Sequence, residues 1–140
     1  MKRVASKKRG DSDFLRIAHA SITVKDMEQS LKFYCETLGL KLSRRSKIPE
    51  NRAEIAFVEG EGGSNLALEL TYWLDKKEWS DGDQLDHIAF LVNDVQSAVE
   101  EYRRKGVEIA KEPYTLQGSN SRIAFIKDPN GIWLELIERR

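Results

Sequence analysis

The chain has 140 residues, 40% of them hydrophobic and 33% charged, with Lys+Arg and Asp+Glu both at 23. That size and balance suit one compact domain, or two small modules sharing a core, and argue against a nucleic-acid binder driven by phosphate contacts. No run of 18 apolar residues is available for a membrane helix, no signal-peptide core opens the sequence, and the single cysteine, Cys35, can form no internal disulfide. The expectation is a soluble protein of a reducing compartment, the cytoplasm, without nucleic-acid or membrane partners.

Residues 1–13 carry Lys2, Arg3, Lys7, Lys8 and Arg9 with few apolar side chains, and are expected to form a disordered basic tail. A first strand is predicted over 15–24. Asp26 then supplies a helix N-cap, and Leu31, Tyr34 and Leu38 mark a helical stripe that ends at Gly39. Strands follow over 40–46, 53–59 and 65–72, with the glycine-rich stretch 60–64 as the turn between the last two. A polar connector, 74–84, leads into the same order again. A strand over 85–92 precedes Asp94 as N-cap, a helix carries Val95, Val99 and Tyr102 to Gly106, and strands follow over 107–112, 121–127 and 132–138. Asp128-Pro129-Asn130-Gly131 is a strong turn between the last two.

The order is an internal repeat whose registers agree. His19 and His87, Asp26 and Asp94, and Phe57 and Phe125 are each 68 residues apart, while Glu69 and Glu135 are 66 apart. Each copy reads β-α-β-β-β, which predicts an α+β fold of two tandem modules, 14–73 and 85–140, within one domain. One helix can cover only one face of its sheet, so the other face must be closed by the second copy or by another chain. A curled mixed sheet around a cleft is the expected result.

Strand alternation decides what lines that cleft. His19 shares a face with Ser21 and Thr23, opposite Ala20, Ile22 and Val24; His87 shares one with Ala89 and Leu91, opposite Ile88 and Phe90. Glu69 and Glu135 likewise lie opposite the leucine faces of their strands. A lone inward histidine is usually a hydrogen-bonded structural residue, and a lone inward glutamate usually has a basic partner. Here both histidines of the chain, and two glutamates with no basic residue on their strand faces, occupy matching places in the repeat. A divalent cation would neutralise the carboxylates and accept the imidazoles, so His19, Glu69, His87 and Glu135 are the candidate metal ligands. Two nitrogen and two oxygen donors suit nickel, cobalt, zinc or manganese, and such a site can polarise a carbonyl and stabilise an enediolate without redox chemistry. A glutamate that loosens from the metal could serve as the base.

With these residues in place the sequence resembles the vicinal oxygen chelate superfamily, and within it the glyoxalase I (lactoylglutathione lyase) group, over about residues 16–138. The resemblance rests on His19, on Glu69 in Glu69-Leu70-Thr71-Tyr72, on His87 in Asp86-His87-Ile88-Ala89, and on Glu135 after the Asp128-Pro129-Asn130-Gly131 turn. It implies a homodimer whose metal sites combine the first module of one subunit with the second module of the other. It implies nickel or cobalt, with zinc or manganese as alternatives, and glutathione or another thiol as co-substrate. The implied reaction isomerises a methylglyoxal–thiol hemithioacetal to an S-lactoyl thioester, with Glu135 as the catalytic base and Glu69 its counterpart. Where the family usually has an arginine four residues after the first histidine this chain has Thr23, and where it has an asparagine four residues after the first glutamate this chain has Trp73. A loop position that is often basic is Gln117, with Arg122 nearby. Thr23, Trp73, Arg122 and Trp133 are therefore the candidate substrate contacts. The alternatives are another metal enzyme of the superfamily, such as an epimerase acting alpha to a thioester, and a non-catalytic protein that sequesters a small molecule. Cys35 is expected to serve packing.

Overall fold

The computed structural model describes residues 18–61, 66–80, 82, 85–117 and 120–138. Strand β1 (His19–Thr23) leads to helix α1 (Met27–Leu31), which runs on as a π-helix over Lys32–Thr37. Strands β2 (Lys41–Ile48), β3 (Ala53–Glu59) and β4 (Ala67–Trp73) complete the first half. The second half is β5 (Ile88–Leu91), α2 (Val95–Arg104), β6 (Ile109–Thr115), β7 (Arg122–Lys127) and β8 (Trp133–Glu138). The strands form two four-stranded mixed sheets of identical order, β1-β4-β3-β2 and β5-β8-β7-β6. In each, the first strand runs parallel to the fourth and the remaining pairs are antiparallel. The fold is thus α+β with the β-α-β-β-β order repeated, its hydrogen bonding divided between two sheets. The basic tail and most of the turn at 62–65 lie outside the described residues. Within the described residues, no helix is long and apolar enough to cross a membrane.

Both helix starts follow from the cap chemistry. Gln29 N donates to Asp26 Oδ1 at 2.8 Å, and Ser97 N to Asp94 Oδ1 at 2.8 Å, satisfying a first-turn amide that has no helical acceptor. Both helices end before a glycine in the left-handed region, Gly39 at φ 82° and Gly106 at φ 82°. The stripe of the first helix differs from a plain 3.6-residue period. Leu38 N bonds to Phe33 O, five residues back, and the widened turn lets consecutive residues Phe33 and Tyr34 both point inward.

Each sheet buries one face. Ile22, Ala56, Val58 and Leu70 of the first sheet and Ala124, Ile126, Leu134 and Leu136 of the second join α1 and α2 residues in a single apolar core. Cys35 is half-buried against this core, and burial pushes its thiol up from the ordinary range. A buried polar lock crosses between the halves. Asp128, held in the turn before β8, accepts from Tyr34 Oη at 2.7 Å, Asn130 N at 2.9 Å and Ile132 N at 2.8 Å. Asn130 in turn accepts from Lys25 N at 2.8 Å and donates to Ser30 Oγ at 3.3 Å. With the covered faces committed to one core, the opposite face of each sheet stays open.

Candidate metal centre

The open faces carry the residues singled out by the repeat. Register sets the first face: Ser21 stands opposite Glu69, Glu69 opposite Phe57 and Phe57 opposite Arg44. The second face is built alike, with Ala89 opposite Glu135, Glu135 opposite Phe125 and Phe125 opposite Lys111. On the first face His19 Nε2 lies 3.5 Å from Glu69 Oε2, and on the second His87 Nε2 lies 3.9 Å from Glu135 Oε1. Each imidazole meets the repeat-matched phenylalanine edge to face, His19 on Phe57 at 5.1 Å and His87 on Phe125 at 5.8 Å. The ring contact limits each imidazole's rotation, and Nε2 is the nitrogen that faces the glutamate. Asp86 Oδ1 sits 2.6 Å from His87 Nδ1, so a proton on Nδ1 is held there and the Nε2 lone pair is left for a ligand. Both glutamate side chains are largely covered, at 17% and 16% exposure, against 41% and 34% for the histidines.

The two pairs differ in what surrounds the carboxylate. Glu69 Oε1 faces the hydroxyls of Ser21 at 2.9 Å and Thr71 at 2.8 Å. The matching positions around Glu135 are Ala89 and Ile137, and among the described residues no hydrogen bond reaches Glu135. The repeat singled out Phe57 and Phe125 without assigning them a role; their function as shelves for the histidines is visible only once the register is known.

Each pair offers one imidazole nitrogen and one carboxylate, a donor set that suits a borderline divalent cation. No group of three His, Cys, Asp or Glu residues converges among the described residues, so one chain presents two half-sites rather than a closed centre. The donors fit a metal when a first-sheet pair and a second-sheet pair meet, which gives two nitrogens, two oxygens and open positions.

The predicted substrate contacts divide. A cleft of about 480 Å³ between the halves is lined by Thr23 and Trp133, together with Ser21, Lys25, Trp79 and Asn130. None of the four candidate ligands lines it, so it lies beside the half-sites rather than at them. Trp73 lies on the first open face, opposite Ala53, and is 38% exposed. Arg122 departs from the expectation. It alternates with Ile123 and Phe125 onto the helix-covered face, where its guanidinium reaches Gln96 of α2 at 3.5 Å, so it is not brought to either half-site. Lys25 and Trp79 are cleft residues that strand alternation could not single out, because neither falls on a strand face of the repeat.

A family profile, the Glyoxalase/Bleomycin resistance protein/Dioxygenase superfamily, matches residues 16–136. The lactoylglutathione lyase GLX1 of Arabidopsis thaliana is 38% identical over 128 residues, which is 91% of this chain but 45% of that protein, so the chain spans under half of that relative's length. The lactoylglutathione lyase of Neisseria meningitidis is 35% identical over 127 residues, covering 90% of this chain and 92% of the relative. Among solved structures, the trypanothione-dependent glyoxalase I of Leishmania major superposes with a TM-score of 0.76 at 33% identity, covering 89% of this chain and 87% of that one. By profile, sequence identity and fold alike, the chain belongs to the glyoxalase/bleomycin resistance protein/dioxygenase superfamily.

Proposed function

We propose that the chain is the subunit of a metal-dependent, glyoxalase I-type lyase that converts a methylglyoxal–thiol hemithioacetal to an S-lactoyl thioester. The observation that carries the reading is the pair of His–Glu half-sites at repeat-matched positions on two open sheet faces, in a chain whose full-length relatives are lactoylglutathione lyases. In this reading His19 and Glu69 of one subunit and His87 and Glu135 of its partner hold one divalent metal, and the homodimer has two such sites. The tandem modules 14–73 and 85–140 each supply one half of a site. The site suits nickel or cobalt, with zinc or manganese as alternatives. When bound, the metal supplies Lewis-acid polarisation of the substrate's two adjacent oxygens.

The chain's own residues do the rest. Glu135 takes the proton from the carbon that bears the hydroxyl and the sulfur, and returns it to the neighbouring carbonyl carbon. The hydroxyl proton moves to the other oxygen, so the product is an isomer and no redox partner is needed. Glu135 suits this task because no hydrogen bond among the described residues holds its carboxylate. The apolar rings of Phe125 and Trp133, 5.5 Å apart, shield that carboxylate from water. Thr23, Trp73 and Trp133 face the substrate, and with Thr23 where the family usually has arginine, and Trp73 where it usually has asparagine, the anionic end of glutathione lacks that basic partner. A thiol substrate and a lone, half-buried cysteine fit a reducing compartment such as the cytoplasm.

The test is metal-stripped protein assayed with methylglyoxal and glutathione after addition of nickel, cobalt, zinc or manganese. Thioester formation that depends on added metal is the expected result. Stoichiometric metal binding without turnover would remove glutathione as the thiol, and no metal binding would remove the reading altogether.

A further inference from the structure

We propose that Ser21 and Thr71 are positioning residues that fix Glu69 as a permanent metal ligand, and that the lack of their hydroxyls in the second half is what leaves Glu135 free to act as the base. The inference rests on the metal-dependent reading above. Ser21 Oγ lies 2.9 Å and Thr71 Oγ1 2.8 Å from the same oxygen, Glu69 Oε1, and the two hydroxyls lie 2.8 Å from each other. Two hydroxyl protons serve these three contacts. The contact between the hydroxyls can use only one of them, which leaves at least one for Oε1. Thr71 is 6% exposed and β-branched, so its hydroxyl has little freedom to turn away. Oε1 is thereby held, and Oε2 is the oxygen turned toward His19 Nε2 at 3.5 Å.

The second half is a natural control. Ala89 occupies the position of Ser21 in the parallel pair, opposite Glu135, and Ile137 follows Glu135 by two residues as Thr71 follows Glu69. Neither can donate a hydrogen bond. Two carboxylates that are equivalent by the repeat are thus divided into an anchored one and a mobile one by four neighbouring side chains.

The test uses the whole 140-residue chain and two readouts, nickel affinity of metal-free protein by chelator competition and kcat with the methylglyoxal–glutathione hemithioacetal. The double substitution S21A/T71V should weaken nickel binding by about 10–100-fold, the usual cost of removing a partner that orients a ligand. Thr71→Ser, which keeps the hydroxyl, should hold near wild-type affinity where Thr71→Val does not. The reciprocal graft A89S/I137T should keep nickel affinity at or above wild type and lower kcat by about tenfold or more, because it pins the base. Wild-type affinity in S21A/T71V, failure of Thr71→Ser to differ from Thr71→Val, or an unchanged kcat in the graft would each overturn the assignment. A wild-type chain that binds no nickel would instead overturn the metal reading, and this inference with it.

Discussion

Asp128 ties the two halves together, because its carboxylate collects a phenol and two main-chain amides while 6% exposed. Its substitution by Ala should cost about 3 kcal/mol or more, since Tyr34 Oη and the turn amides are left buried without an acceptor. Tyr34→Phe removes only the donor and should cost about 2 kcal/mol, in the range for hydrogen bonds to a charged group. Thermal melts of the two variants check the order. The same pair sets an alkaline limit. Burial pushes the Tyr34 phenol far up, and the Asp128 carboxylate beside it pushes it further. In the unfolded chain the phenol titrates at about 10, so above that pH the unfolded state sheds a proton that the folded state retains. This pair's contribution to stability is therefore whole below about pH 10 and is lost as pH rises beyond it, and Tyr34→Phe should flatten that fall in a pH series of melts.

At the scale of elements the caps repeat what the residues do singly. Asp26→Ala should cost about 1 kcal/mol through the lost bond to Gln29 N. Gly39→Ala should cost about 1 kcal/mol for backbone strain alone, since a Cβ there meets nothing within 4 Å at φ 82°. Urea titrations of both variants measure these costs. These starts and stops were legible because Asp and Gly act on their own neighbours, and so were the strand faces, because alternation is local. The residues that needed the structure are those whose partners are distant in sequence. Arg122 falls on a strand next to the loop that should have offered a basic group, yet its parity sends it to α2. Strand alternation grouped Ser21 with His19, but its bond to Glu69, 48 residues away, exists only because β1 and β4 pair in parallel with Ser21 opposite Glu69. The π-helical turn at Lys32–Thr37 gives no periodic signal, and it alone brings both Phe33 and Tyr34 inward.

For the whole molecule, the open sheet faces raise the question of what covers them. The covered faces of both sheets meet in one core, so the open faces with their His–Glu pairs look away from it. Leu91 at 66%, Trp133 at 40% and Trp73 at 38% exposure lie on those open faces, apolar side chains that a partner surface would cover. A two-fold assembly would set the first face of each subunit on the second face of the other and complete two equal sites from four half-sites. The prediction is complementation. His19→Ala damages only first-half pairs and Glu135→Gln only second-half pairs, and each homodimer should be inactive because both of its sites contain the change. In a mixed dimer one site receives both changes and the other receives neither. Unfolding and refolding the two variants together in equal amounts should then yield about a quarter of wild-type turnover, because half the dimers are mixed and half their sites are intact. If each site were built within one chain, every site would carry one change or the other and mixing would recover nothing, so the refolded mixture separates the two architectures by activity alone.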